Sequence, residues 1–520
     1  MFRNVFSAFI LLTSIIQYFF VENSDLFAFD QKKNTVQHTE PPFILVHYMP
    51  WFQAKPIRDD WGWHWTMDHY NPEKIDSTGR REIASHFYPL TGPYDSKDQN
   101  ILEYQVLLMK LSGIDGVIVD WYGIEDFYDY ALINESTNFL FEYIKKAKLL
   151  FCICYEDQTI KHMVDNNHFT KAEAIRHGQA VMCYMEQQWF CEESYVKLDN
   201  RPVLLTFGPQ YFFNSSDWDM LFSVLNTPPH FFTLNNKLNP VATGAYPWPP
   251  MWKSVNGILT QDALHEFLDS FYLESTDWEF VVGGAFSGFH DIYSQAGLGF
   301  TYGFLDSDSG RTLNETLQKS SDNKSDIIQI ITWNDYGEGT NIEPTIEYGY
   351  QYLETIQRIK KTFIDSSHSY TSQNLLLPFR IYELRKKFQD NLTINTQLDE
   401  VFNCIIDDKL NSAMTILDDI DSATSVKIHS NKPDRYSLKQ NYPNPFNSQT
   451  IITYTLDEPE QVILSLYNAS GQQVKRLVNK YQFAGTYSVI CAGEGLVSGV
   501  YFYEMNVGKM STLKKCIVLK

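Results

Sequence analysis

The sequence predicts an α/β protein: a (β/α)8 TIM-type barrel, then a helical extension, then a small C-terminal all-β sandwich. Three observations carry this. From residue 43 to about 365, short and nearly continuous apolar runs alternate with stretches of helical spacing. Those runs lack the one-sided alternation of a half-exposed strand, so they suit a parallel sheet covered on both faces. After about residue 435 the pattern switches to period-two alternation broken by Gly and Asn.

The barrel units follow in order. "FILVHYMPW" reads as the first buried strand, and "NILEYQVLLMKLSG" as a helix stopped by Gly113. "GVIVDWYG" and the helical "TNFLFEYIKKAK" come next, then the strand "LLFCICYED" and the long helix "KAEAIRHGQAVMCYMEQQWF". "RPVLLTFGP", "HFFTLNN", "EFVVGGAF" and "DIIQIITWND" are further strands, and the helix "YGYQYLETIQRIKKTF" follows the last. One more strand is weakly signalled between Pro247 and Gln261, at "KSVNGIL". Seven or eight such units in about 320 residues suit a closed barrel better than an open sheet. No GxGxxG follows the first strand, which weighs against a dinucleotide fold. The predicted boundaries are 1–24 for an export signal, 40–366 for the barrel, 367–425 for the amphipathic helical extension and 435–520 for the sandwich, with a polar linker at about 422–434.

Length and composition agree with this plan. A chain of 520 residues favours two or three domains. Its net charge is −21, from 42 basic and 63 acidic residues, which opposes binding to nucleic acid or an anionic membrane through a basic surface. Aromatic residues make up 15%, which suits either large cores or flat amphipathic ligands such as sugars. "MFRN" followed by the apolar "VFSAFILLTSIIQYFFV" has the form of a signal peptide, and no later segment is long and apolar enough to span a membrane. The seven cysteines form no CxxC pair and no Cys/His zinc spacing, so no metal site is expected. Cys152 and Cys154 read as small core residues.

The strand ends carry the chemistry. In a (β/α)8 barrel the C-terminal ends of the strands converge on the active site. His47, Tyr48, Trp51, Asp120, Trp121, Tyr122, Tyr155, Glu156, Trp333, Asn334, Asp335 and Glu338 all stand at or just past such ends. Each has a structural reading too: Asp120 could cap a helix and His47 could be a satisfied core histidine. The loop after the first strand adds "WGWHW", whose Trp63, His64 and Trp65 could stack on sugars or plug the barrel mouth. After the last strand, "ITWNDYGEGTNIEP" holds Asp335, Glu338 and Glu343. Two carboxyls at different depths of one pocket can differ in protonation, the minimum equipment for cleaving a glycosidic bond. A bare DxxE is common in acidic chains and says little alone.

The longer strings say more. "ITWNDYGEGTNIEPT", with "HYMPWF", "WGWHW", "SGIDGVIVDWYG", "FCICYED" and "AFSGFHDIY" in order, resembles glycoside hydrolase families 71 and 99, the α-1,3-glucanases and endo-α-mannosidases. The resemblance spans roughly residues 43–365. It implies a secreted enzyme, probing α-glucan or α-mannan from within the chain, with Glu338 as general acid and Asp335 as the base for water or for the sugar's 2-hydroxyl. It implies no cofactor and no catalytic metal. Glu156 and the Trp residues would shape the pocket. Where family 99 has Glu at the first acidic position this chain has Asp335, as in family 71, so that carboxylate sits about one methylene further back. A non-catalytic, surface-displayed glycan-binding protein is the rival reading.

The tail, with "NYPNPFN", "SGVYFY" and a Lys end, closely resembles the sorting domain of the bacterial type IX secretion system. That implies a protein secreted or held at the surface of a Gram-negative bacterium, with the type IX machinery as partner.

Overall fold

The structure is a computed structural model that describes residues 41–424 and 436–518, except Tyr442, Ser448, Ala469, Ser470 and Lys509. The predicted export signal and most of the predicted linker lie outside these residues. Two compact units are present, one ending at Asp421 and the other starting at Ser422.

The first unit is built on eight parallel strands: β1 (Phe43–Tyr48), β2 (Gly116–Trp121), β3 (Leu150–Tyr155), β4 (Arg201–Thr206), β5 (His230–Leu234), β6 (Gly244–Tyr246), β7 (Val282–Phe286) and β8 (Ile327–Ile331). The ladder runs β6-β5-β4-β3-β2-β1-β8-β7, parallel throughout. β6 and β7 lie side by side without a ladder, so the ring is nearly closed. The strands are apolar on both faces because helices cover the outside and side chains fill the inside. Gly116 shows how tight the ring is: a Cβ there would lie 2.1 Å from the Leu150 carbonyl oxygen.

Helices alternate with most strands. α1 (Gln99–Ser112) follows β1, α2 (Tyr130–Lys146) follows β2, and α3 (Lys171–Met185) follows β3. Asp98 caps α1 through the Asn100 N–H, and Gly113 ends it in the left-handed region. The sixth strand of the ring differs from the sequence expectation. It is Gly244–Tyr246, before Pro247, and "KSVNGIL" is instead a tight reversal in which Val255 and Ile258 pair antiparallel across Asn256 and Gly257, both at positive φ. A three-residue strand carries no readable periodicity, whereas Asn-Gly is a strong turn signal.

The extension forms three helices, Leu377–Lys387, Leu392–Ile406 and Leu410–Thr424, the last ending at the boundary of the first unit. It packs on α1, where Arg385 grips the Glu103 carboxylate with two bonds, 3.0 and 2.8 Å.

The second unit is an antiparallel sandwich. One sheet holds Tyr436–Leu438, Gln449–Leu456 and Gly485–Ala492; the other holds Glu460–Asn468, Gln473–Gln482, Gly499–Val507 and Met510–Val518. Alternate residues such as Ile452, Tyr454, Leu464, Leu466, Tyr503 and Met505 form its core.

Candidate active site

Strand alternation sorts the predicted residues. Side chains at i and i+2 share a face, and on β1 to β3 the inward set is His47, Asp120 and Cys154. Cys154 reaches across the ring to the Tyr246 hydroxyl at 3.4 Å, and the Gln329 amide of β8 meets His47 Nδ1 at 3.2 Å. His47 Nε2 and Asp120 Oδ1 lie 3.9 Å apart. Glu156 continues the inward face of β3; it is 3% exposed and accepts bonds from Gln158 (2.9 Å) and Gln210 (3.2 Å). Burial, and then the charge of Asp120, hold its carboxyl well above the usual range.

The neighbours one residue along point the other way. Tyr48 donates to Gln105 of α1 (2.7 Å), and Trp121 donates to Asn134 of α2 (3.1 Å). Trp333 and Asn334 also leave the predicted pocket. Trp333 is buried toward Glu343, and Asn334 clamps the Met49 peptide through both its oxygen (2.8 Å) and its nitrogen (3.0 Å). Trp65 is fully buried, donating to the Tyr94 carbonyl and packing on Phe52 and Tyr336. These five support the mouth and do not line it: strand alternation turns Tyr48 and Trp121 into the helix layer, and tertiary bonds and packing hold Trp65, Trp333 and Asn334 beneath the loops.

Trp51, Trp63, His64 and Tyr122 are only partly buried and stand at the rim. His64 stacks flat on Trp51 at 4.2 Å, and burial lowers its pKa to about 3, so it is neutral. Its Nε2 is 3.8 Å from Asp129, whose charge, with those of Asp120 and Glu156, raises the Tyr122 hydroxyl's pKa after burial. Trp63 packs against the small cluster of Met67, Ala84, Ile292 and Ala296.

The loop after β8 holds the acids. The chain leaves strand geometry at Thr332, directly after Ile331, so the two acids need not share the alternation of β8. Backbone bonds then close the loop on itself: Thr332 N–H to Thr340 O, and Glu343 N–H to Trp333 O, both 2.9 Å. The left-handed turn is at Gly339 (φ +66°), where a Cβ would lie 2.5 Å from the His290 carbonyl oxygen. Gly337 serves closeness instead, since a Cβ there would touch Met67 at 3.0 Å.

Asp335 and Glu338 are placed in unequal surroundings. Asp335, 5% exposed, accepts the Glu338 N–H at 2.9 Å and also the Gly337 N–H. Burial pushes its pKa up to about 7, those two donors pull it back, and Asp120 adds to the rise. Glu338 lacks such backbone donors; burial, then Asp335 and Asp291, push it well above its ordinary value, and only the Trp248 indole opposes them. The donors favour charge on Asp335, while Glu338 is left to hold a proton.

Several neighbours were not singled out from sequence. Trp248, between two prolines after the unrecognised β6, bonds to Glu338 and meets His47 edge-on at 5.0 Å. Asp291 accepts bonds from Thr301, Tyr302 and Gly303 (2.8, 2.8 and 3.1 Å), shaping the loop beside Glu338. Tyr293 and Tyr302 feel the Glu338 charge, and Tyr302 is 43% exposed. The string "AFSGFHDIY" contained Asp291 and Tyr293, but its bonds to the 337–338 backbone (2.8 and 3.0 Å) are tertiary. Glu343, the third acid of the loop, turns outward to Tyr94, Tyr336 and Gln105.

Residues 440–519 match the family model of a secretion system C-terminal sorting domain. The C-terminal unit is a secretion sorting domain. The protein accordingly belongs to the cell surface or the extracellular space, with the type IX machinery as its exporter. No helix among the described residues is long and apolar enough to cross a membrane. Residues 307–356, which include both acids, match the family model described as glycosyltransferase WbsX. No curated protein matches the chain. Among solved structures, a GH99 endo-α-mannosidase from Bacteroides thetaiotaomicron is similar at 17% identity and TM-score 0.47, over 62% of this chain and 98% of that one. A glycoside hydrolase-like protein is similar at 10% identity and TM-score 0.43, over 66% and 98%.

Removing residues 435–520 is expected to leave the barrel folded but retained within the cell envelope. Fractionation with an antibody to the barrel checks this; normal release of the shortened chain would contradict it.

Proposed function

We propose that the barrel is a glycoside hydrolase acting within chains of α-linked glucan or mannan, with Glu338 as general acid and Asp335 as general base. The observation that carries this is the unequal carboxyl pair on one rigid loop at the strand ends. Glu338 donates its proton to the departing glycosidic oxygen. Asp335, whose charged form two backbone N–H groups favour against burial, takes a proton from water or from the sugar's 2-hydroxyl. Either route gives the same net change: one C–O bond breaks, and water supplies a hydroxyl to one product and a proton to the other. His47, Asp120, Glu156 and Tyr122 are assigned to sugar hydroxyls, and Trp51, Trp63 and His64 to the rim. The choice of α-linked glycans rests on the family 71 and 99 resemblance of the sequence. Surface export fits a polymer too large to enter the cell.

A second reading has one observation behind it, the glycosyltransferase name of the family model over residues 307–356. The same acid and base would then pass a sugar to an acceptor hydroxyl in place of water. Incubation with α-glucans and α-mannans alone, against incubation with sugar-nucleotide donors plus acceptor, separates the two. Hydrolysis predicts new reducing ends in the first; release of nucleotide only in the second would overturn it.

The pair also predicts a pH profile. Asp335 must be ionised, so kcat/KM climbs with pH on an acid limb near neutrality, about 7. An unperturbed aspartate would place that limb at about 4. Activity falls again at higher pH as Glu338 loses its proton. A profile already flat from pH 4 to 7 would contradict the assignment of the base.

A further inference from the structure

We propose that the floor of the barrel mouth binds one divalent, thiol-seeking cation such as Zn²⁺ through His47 Nε2, Asp120 Oδ1 and Cys154 Sγ. The donor set comes from three adjacent strands, β1, β2 and β3, and all three residues are buried. Their ligand atoms lie within 4.8 Å of one another. Ligand atoms about 2.0–2.3 Å from a tetrahedral ion stand roughly 3.3–3.6 Å apart, so side-chain shifts of about 1 Å close the site.

The independent sign is a pair of orphaned atoms. His47 Nε2 and Asp120 Oδ1 are both buried and neither has a hydrogen-bond partner. They face each other at 3.9 Å, too far to bond directly. Buried polar atoms are ordinarily satisfied, and a cation between them would satisfy both at once. The surroundings also orient the ligands. The Gln329 amide nitrogen sits 3.2 Å from His47 Nδ1, and its Oε1 has no partner; a half-turn of that amide puts Oε1 against Nδ1, where it accepts the Nδ1 proton and leaves Nε2 as the lone-pair donor. The Tyr246 hydroxyl donates to the Thr206 carbonyl at 2.9 Å, so its oxygen is free to receive the Cys154 S–H. On binding, the thiol proton leaves to solvent, and one thiolate, one carboxylate and one neutral imidazole balance the ion's two charges. The fourth position faces the mouth. The proposal gives the ion no step in hydrolysis, so the acid and base assignment stands or falls separately; with the ion bound, His47 is its ligand, and Glu156, Tyr122 and the second Asp120 oxygen are left for sugar hydroxyls.

Cobalt(II) titration of the full chain tests it, since a cobalt–thiolate bond absorbs in the near ultraviolet. The expected result is saturation at one Co²⁺ per chain with that charge-transfer band, displaced by Zn²⁺. Cys154→Ser removes the band, and Asp120→Asn and His47→Gln each weaken binding at least tenfold while circular dichroism shows the fold retained. Cys191→Ser, changing an exposed thiol, leaves the band intact. Absence of the band in the wild type overturns the proposal. So does a band that survives Cys154→Ser, or one lost in Cys191→Ser. Should Cys154→Ser fail to fold, unweakened binding in Asp120→Asn and His47→Gln overturns it.

Discussion

Glu338→Gln is expected to lower turnover of a natural α-linked glycan by about 10²–10⁴-fold, the usual worth of a positioned general acid. The amide cannot give up a proton to the departing oxygen, yet it keeps the size of the carboxyl and can still accept from Trp248. Glycan affinity should therefore change little, because the lost interaction belongs to the transition state. An aryl glycoside whose leaving group needs no protonation should be cleaved by this variant far closer to the wild-type rate. Asp335→Asn should behave differently: with the base gone, both natural and activated substrates lose turnover. Steady-state kinetics on the two substrate types, with calorimetric binding, read these outcomes together. Near wild-type turnover of the natural glycan by Glu338→Gln would remove the acid from its role. Equal losses on both substrates would move that role elsewhere.

Glu343→Ala is expected to cost about 3–5 kcal/mol of stability, since three buried neutral donors lose their acceptor at about 1–3 kcal/mol each and the removal of a group that is costly to ionise offsets part of that. Glu343 accepts from Tyr94 (2.7 Å) and Tyr336 (2.8 Å) on one oxygen and from Gln105 (2.7 Å) on the other. Gln105 in turn holds Tyr48, and Tyr94 holds Asn334 at 3.1 Å. Truncation leaves three buried donors unsatisfied beneath the very loop that carries the acids. Burial also raises the Glu343 pKa from 4.5 to about 7. A carboxyl whose folded pKa is raised contributes stability that is full below the unfolded value and is lost as pH rises through the folded one. The difference in denaturant stability between wild type and Glu343→Gln should therefore shift between pH 4.5 and 7, with the wild type losing ground as pH rises. A pH-independent difference would show that Glu343 does not titrate in the folded state over that range. A loss below about 1 kcal/mol in Glu343→Ala would show that the network is not needed.

The strands were legible because a parallel ring covered on both faces writes itself as apolar runs, and seven of the eight are such runs. β6 was not, since Gly244–Tyr246 is held by its ring neighbours and by no local pattern. The same two-sided burial hid which aromatic residues face the mouth. In a half-exposed strand polarity would have told His47 from Tyr48, or Asp120 from Trp121; here both faces are buried. The three acids of "ITWNDYGEGTNIEP" were visible as a cluster. Their division, two beside the mouth and one into the helix layer, depends on Gln105 and Tyr94, more than two hundred residues earlier. Trp248 and Asp291 were invisible for the same reason: their partners come from β1 and from the loop after β8.

Hydrolysis in water enriched with ¹⁸O tests the central claim most directly. Each newly formed reducing end of an α-glucan or α-mannan fragment should carry one ¹⁸O in the wild type, read by mass spectrometry at early times. That label should fall to near background in Glu338→Gln and Asp335→Asn. Glycan binding without any labelled reducing end in the wild type would contradict the account and leave a surface protein that holds glycans without cutting them.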